Sequence, residues 1–108
     1  MKIIFKHLQR SHFPLLLKWL ETPHVKAWWD PNLTWTPELI QEKYDSYVHG
    51  YKLENNIHKN IYAFIIKIDN KPIGYIQTYN AYDFHKNLYL NNLPKSLAAI
   101  DIFIGEKE

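Results

Sequence analysis

Apolar residues along this chain fall into a few dense blocks separated by polar stretches. Ile3, Ile4 and Phe5 make the first block, of strand length. Phe13, Leu16, Leu17 and Leu20 then recur at helical spacing with Trp19 beside them. Ser11 is the expected N-cap of this helix, and Pro14 is tolerated in its first turn. Thr22-Pro23 ends it, because the residue before a proline is pushed out of the helical region. The stretch from His24 to Pro31 shows no clean period. Thr36 is the expected cap of a second helix, with Pro37 at its first position and Glu38 suited to its dipole. Leu39, Ile40, Tyr44, Tyr47 and Val48 form its apolar side, and Gly50 suits its C-terminal end.

Residues 51–60 are polar and read as a loop. Residues 61–68 are strongly β-prone, Asp69-Asn70-Lys71-Pro72 supplies turn chemistry, and residues 73–79 form a second strand of an antiparallel hairpin. Residues 80–96 contain five Asn or Asp and few apolar repeats, which predicts a long loop of functional character. Residues 97–104 form the last strand. The order β-α-α-β-β-β predicts an α/β (α+β) fold with a mainly antiparallel sheet, one domain over residues 1–108.

Composition narrows the function classes. With 13 Lys+Arg against 11 Asp+Glu, the net charge is +2, too small for a basic nucleic-acid surface. Hydrophobic residues at 46% and charged residues at 22% describe a globular chain. The absence of Cys removes disulfides, thiolate nucleophiles and Cys-type zinc sites. Three Gly residues leave no Gly-rich phosphate loop. The aromatic share of 16% suggests a ring-lined pocket in addition to a core. The apolar runs at 13–20 and 97–105 are interrupted by Lys18 and Asp101 and fall short of a membrane span. Lys6, His7, Gln9 and Arg10 interrupt the N-terminal apolar start before it becomes a targeting signal. The expectation is a cytoplasmic protein without membrane or nucleic-acid partners. Asn32-Leu33-Thr34 fits a glycosylation acceptor, a pattern common by chance.

Asp101 is the most informative position. It lies inside an apolar strand, on the face shared with Ala99 and Phe103, while Ile100, Ile102 and Ile104 share the other. The pattern leaves two readings. A cleft-facing carboxylate could take a proton or hold a cationic substrate. A strand-edge carboxylate would be solvated or bonded to loop backbone. Trp28-Trp29-Asp30 could wall a flat ligand, with at least one Trp sealing the core, and Trp35 reads as structural. Tyr75, Gln77 and Tyr79 share a strand face that is either a binding wall or, somewhat more in keeping with the pattern, a solvent face. Tyr44 and Tyr47 read as core or boundary residues. The six His residues show no ligand spacing, so no metal site is expected. Ser11, Ser46 and Ser96 lie outside any nucleophile-elbow pattern.

Three blocks taken together resemble the GNAT superfamily of N-acetyltransferases, most closely its aminoglycoside 6′-N-acetyltransferase branch. The first is Phe13-Pro14-Leu15-Leu16-Leu17-Lys18-Trp19-Leu20 with Pro23-His24-Val25 and Trp28-Trp29. The second is Pro72-Ile73-Gly74-Tyr75-Ile76-Gln77-Thr78-Tyr79. The third is Ala99-Ile100-Asp101-Ile102-Phe103-Ile104-Gly105. A related branch that acetylates lysine-type siderophore precursors shares the Pro-His-Val block.

The resemblance implies acetyl-CoA as co-substrate and direct attack of an acceptor amine on its thioester. It implies that Asp101 binds the substrate ammonium and helps remove its proton. It places Trp29, Tyr44, Gln77 and Tyr79 around the small-molecule amine. A second acidic residue of the family falls near Lys86 here, with Asp83 close but out of register. The Gly-rich loop that holds the coenzyme pyrophosphate would follow Gly105, where this sequence ends in Glu106-Lys107-Glu108. The chain therefore corresponds to the N-terminal, substrate-side half of the fold. That half is expected to be inactive alone, and its last strand leaves an open apolar edge that could drive homo-oligomerisation. A non-catalytic binding or interaction module is the alternative from another class.

Overall fold

The computed structural model of the chain describes residues 1–80 and 98–106. Its elements are β1 (Ile3–His7), α1 (Phe13–Leu20), α2 (Pro23–Lys26), α3 (Pro37–Val48), β2 (Tyr51–Glu54), β3 (Ile57–Ile68), β4 (Lys71–Asn80) and β5 (Ala98–Ile104). The strands lie in the order β1-β3-β4-β5, every pair antiparallel. The twelve-residue β3 serves three partners, pairing with β2 over residues 57–60, with β1 over residues 64–68 and with β4 over residues 61–68. This is the expected mixed α/β arrangement with an antiparallel sheet.

Local chemistry explains where the elements begin and turn. Thr36 caps α3 as expected, its Oγ1 accepting the Leu39 amide at 3.2 Å. The cap of α1 differs from expectation. A 3-10 turn over Arg10–His12 precedes that helix, and the Gln9 amide donates to Nδ1 of His12 at 3.0 Å. Ser11 lies inside this turn rather than at the helix boundary, so it caps nothing. The stretch without a period contains α2, a helix of four residues opened by Pro23 and too short to display a helical repeat.

Residues 51–60 are not a loop. β2 and the start of β3 form a hairpin around Asn55 and Asn56, with φ of +51° and +65°. The β3–β4 hairpin uses the same turn at Asp69 and Asn70, with φ of +48° and +69°. Two consecutive left-handed residues give the turn whose twist matches the strands, and Asn and Asp tolerate that conformation. The first hairpin is polar because much of it is exposed, so its composition follows exposure rather than backbone conformation.

One face of the sheet is covered. Leu16, Trp19 and Leu20 of α1 and Ile40, Tyr44 and Tyr47 of α3 pack with Ala63, Ile65, Tyr75, Tyr79 and Phe103. On the opposite face Phe5, Tyr62, Ile100, Ile102 and Ile104 stay exposed. The β3–β4 ladder shifts register between Ile66 and Lys67, which leaves Ile73 as an extra residue on β4. The Ile73 carbonyl accepts from the amides of Gly105 at 2.8 Å and Glu106 at 3.1 Å. Next to it, a side chain at Gly74 would press into the Phe103 carbonyl, so glycine is what lets β5 approach β4.

β5 pairs on one side with β4, and no further strand joins its other side among the described residues. Most of the long loop expected at 80–96, with Asp83 and Lys86, lies outside the described residues; Asn80 itself belongs to β4. Among the described residues no helix is long and apolar enough to cross a membrane.

Candidate active site

Asp101 and Gln77 face each other across β5 and β4, and Tyr79 lies one pleat along the same face. Gln77 donates its Nε2 to Oδ2 of Asp101 at 2.9 Å, and the Tyr79 hydroxyl donates to the same oxygen at 2.8 Å. The Tyr75 hydroxyl in turn donates to Oε1 of Gln77 at 2.7 Å, which fixes which end of the amide faces the carboxylate. Two donors converge on Oδ2, while Oδ1 accepts no hydrogen bond among the described residues. The strand face read as more in keeping with solvent is instead the inner one: Tyr75 and Tyr79 are buried and Gln77 is half-buried. Alternation alone gives two faces and not which one the helices cover.

Asp101 borders two recesses. The larger, of about 270 Å³, is lined by Trp28, Trp29, Asp30 and Lys43. The second, of about 240 Å³, is lined by Tyr47, Lys52, Glu54, Gln77 and Tyr79, with Ile61 at its base. Both fall below the ~300–1,000 Å³ of sites that enclose a drug-sized ligand. Each suits one ring or one short chain, and together they suit a ligand that passes over Asp101.

The walls are built from stacked aromatic side chains. Trp29 meets Phe103 edge-on at 5.0 Å and Tyr75 at 6.1 Å, and Tyr75 stacks on Phe103 at 5.4 Å. Trp28 beside it is 90% exposed, so of the two tryptophans Trp29 seals the core and Trp28 stands in solvent. Trp35 is buried, as its structural reading required, and tilts against Tyr44 at 6.0 Å.

Tyr44 is fully buried, with Tyr47 and Tyr75 against it at 5.1 Å and 5.9 Å. It supports the wall from behind, and Tyr47 holds the position at the recess. The hydroxyl of Tyr44 is buried without a well-formed hydrogen bond among the described residues. Burial pushes its pKa far above the phenol range, partly opposed by the nearby Trp29 side chain. The hydroxyls of Tyr47 and Tyr75 are driven up by the same cause and stay neutral.

The hairpin missed in the sequence contributes charge. Glu54 receives Lys59 Nζ at 2.9 Å and lies 3.4 Å from Lys52 Nζ. These bonds, that of Lys59 foremost, hold its carboxyl below the usual range. Sequence reasoning overlooked Lys52 and Glu54, and read Tyr47, which lines the recess from α3, as a core or boundary residue. Asn55-Asn56, chemically the twin of Asp69-Asn70, was the signal that could have found Lys52 and Glu54.

No group of three or more His, Cys, Asp or Glu side chains among the described residues is arranged to hold a metal. The amides at the end of β5 offer nothing to a pyrophosphate either, since those of Gly105 and Glu106 are both engaged by the Ile73 carbonyl.

Residues 9–108 match the family model of the acetyltransferase (GNAT) domain. The chain belongs to the GNAT family. No curated protein matches it by sequence. Among solved structures, this GNAT chain is similar to AAC(6')-Ib in complex with paromomycin and acetyl-CoA, at 19% identity and a TM-score of 0.75 over 99% of this chain and 56% of that one. AAC(6')-Ib with ribostamycin and coenzyme A gives 19% identity and 0.76 over 99% and 56%. An uncharacterised protein of Bacillus halodurans gives 17% and 0.70 over 97% and 49%. These likenesses establish the fold. The GNAT chain spans about half the length of the structures it matches.

Proposed function

We propose that this GNAT chain forms the acceptor side of an N-acetyltransferase that moves an acetyl group from acetyl-CoA to a primary amine. The observation that carries the reading is the tethered Asp101, whose Oδ2 takes two donors while Oδ1 takes none among the described residues. A carboxylate held this way is a fixed acceptor for an ammonium, and a charged acceptor strengthens the N–H contact.

Amines arrive as ammonium ions. Asp101 accepts an N–H, takes up the proton and passes it to solvent. The freed lone pair attacks the thioester carbonyl, so a C–N bond forms as the C–S bond breaks. The nitrogen's second proton ends on the leaving thiolate, giving the amide, coenzyme A thiol and one released proton. Positioning supplies most of the catalysis. Trp29, Gln77 and Tyr79 surround the acceptor, and Tyr44 supports that wall.

Two acceptor classes suit the reading, an aminoglycoside 6′-amino group and a lysine-type amine. The aminoglycoside complexes among the structural neighbours favour the first. Residues 1–108 match 56% of the AAC(6')-Ib chains, which supports a reading in which they supply the acceptor half of the reaction and do not turn over on their own. Calorimetric titration of kanamycin and of acetyl-CoA into the purified chain and its Asp101→Asn variant, followed by a thiol-release assay with kanamycin, tests this. Amine binding without turnover is the expected result. Turnover would refute the division of labour, and an amine affinity unaffected by Asp101→Asn would refute the site.

A further inference from the structure

Of the four tryptophans, Trp19 and Trp35 are buried and Trp29 packs against the core. Trp28 turns outward and is 90% exposed, so almost all of its indole meets water. A single outward hydrophobe is ordinary on a protein surface. Two further features set this one apart. Its base is fixed: the Trp28 amide donates to the Val25 carbonyl at 3.0 Å, and the Trp29 amide donates to the same carbonyl at 2.9 Å. Val25 before it and Trp29 after it are held by the core. The indole also lines the recess of about 270 Å³ that Asp101 borders. A flat apolar surface is thus presented beside the carboxylate from a rigid turn, and little backbone order remains to be gained when a ligand covers it.

Charge does not separate the two acceptor classes in this recess. Lys43 Nζ stands 3.4 Å from Oδ2 of Asp30 and lies over the rings of Trp35 and Tyr44 at 5.4 Å and 5.3 Å, so the Asp30 charge is met from within the chain. Asp101 remains, one ammonium satisfies it, and either class brings one. The wall does separate them. A saturated ring presents a broad C–H face that sheds water against an indole. A flexible chain meets the same indole along a narrow line and loses rotamer freedom to stay there. Trp29 is committed to Phe103 and Tyr75, so the free aromatic face is that of Trp28. Asp30 and Lys43 line the same recess and offer an acceptor and a donor to ring hydroxyls.

We propose that Trp28 is a specificity-determining residue, the platform on which a hydroxylated ring lies while the primary amine it carries is held by Asp101. This rests on the acceptor-amine reading of Asp101 and narrows it, ranking ring-borne amines above lysine-type chains.

Two amines of equal charge test it on the purified 108-residue protein. One is methyl 6-amino-6-deoxyglucopyranoside, whose amine sits on a closed ring, and the other is glucamine, an open-chain amine with a similar set of hydroxyls. Each is titrated and followed through the side-chain amide of Gln77 by heteronuclear NMR, because that amide donates to Asp101 and reports its occupancy in every variant. Covering one face of the indole is expected to give the closed-ring amine a preference of about tenfold. Trp28→Ala is expected to cut that ratio by at least about fivefold, and Trp28→Phe, which keeps a flat face, to hold it within about twofold of the native value. Circular dichroism checks that both variants fold. Equal affinity of the two amines for the native chain, or a ratio unmoved by Trp28→Ala, overturns the inference and leaves the amine site standing. If Asp101→Asn binds both amines as the native chain does, the acceptor reading itself fails. If neither amine binds the native chain, both fail.

Discussion

The amide of Gln77 stands between the Tyr75 hydroxyl and the Asp101 carboxylate, accepting from one at 2.7 Å and donating to the other at 2.9 Å. Its two ends differ chemically, so only one orientation satisfies both neighbours. Gln77→Leu is expected to leave the Tyr75 hydroxyl buried without an acceptor and to lower stability by about 1–3 kcal/mol. Tyr75→Phe in the same chain is expected to restore part of that loss, because no orphaned hydroxyl remains. Urea unfolding of the two single variants and the double variant measures the coupling. Additive effects would contradict the relay.

Gly105 lies against the Trp19 ring with no room for a methyl group. Gly105→Ala must displace a fully buried tryptophan whose indole N–H donates to Glu106 at 2.6 Å. Overpacking of this kind costs about 1–3 kcal/mol. A lowered thermal midpoint is expected, and an unchanged one would show that the end of β5 can swing away from α1.

Acid is expected to destabilise the chain in a defined window. The carboxyls of Glu21, Asp45, Glu54 and Glu106 all lie below their ordinary values, chiefly through hydrogen bonds from Lys26, Arg10, Lys59 and Trp19 respectively. A group depressed in the folded state binds more protons when unfolded. Its contribution is therefore complete above the ordinary value, 4.5 for Glu, and is lost as pH falls below it. His12, lowered mainly by burial, adds an earlier loss beginning below 6.5. Unfolding followed from pH 7 to pH 3 should show stability falling throughout. A flat profile would mean that these contacts do not persist in solution.

Periodicity was enough for α1, α3, β4 and β5, because each has one covered side. The split of β5 into Asp101 and Ile102 faces followed from alternation. Which face the helices cover did not, because that depends on tertiary packing, and so the inward turn of Tyr75, Gln77 and Tyr79 emerged only in the structure. β2 stayed hidden because it is only four residues long, so the alternation of Tyr51 and Leu53 with Lys52 and Glu54 is too brief to stand out beside the polar start of β3. With it went Lys52 and Glu54, two of the three charged side chains that line the recess. Tyr44 and Tyr47 had the same apolar pattern on α3, and only the packing separates the one behind the wall from the one at its surface.

β5 combines an edge unpaired by any described strand with Ile100, Ile102 and Ile104 exposed on one face. Such an edge templates pairing with another copy. Concentration-dependent self-association of residues 1–108 is expected in sedimentation velocity. Ile102→Lys should weaken it by placing a charge on the exposed face. A monomer at high concentration in the native chain would contradict the expectation.

The central claim is that Asp101 anchors the acceptor amine. The most direct measurement is a titration with kanamycin followed through the side-chain amide of Gln77 and the indole N–H of Trp29 by heteronuclear NMR, in the native chain and in Asp101→Asn. Saturable shifts at both groups are predicted for the native chain, with affinity at least about tenfold weaker once the charged acceptor is gone. Equal affinity in the two proteins, or shifts confined to residues away from Asp101, would contradict it.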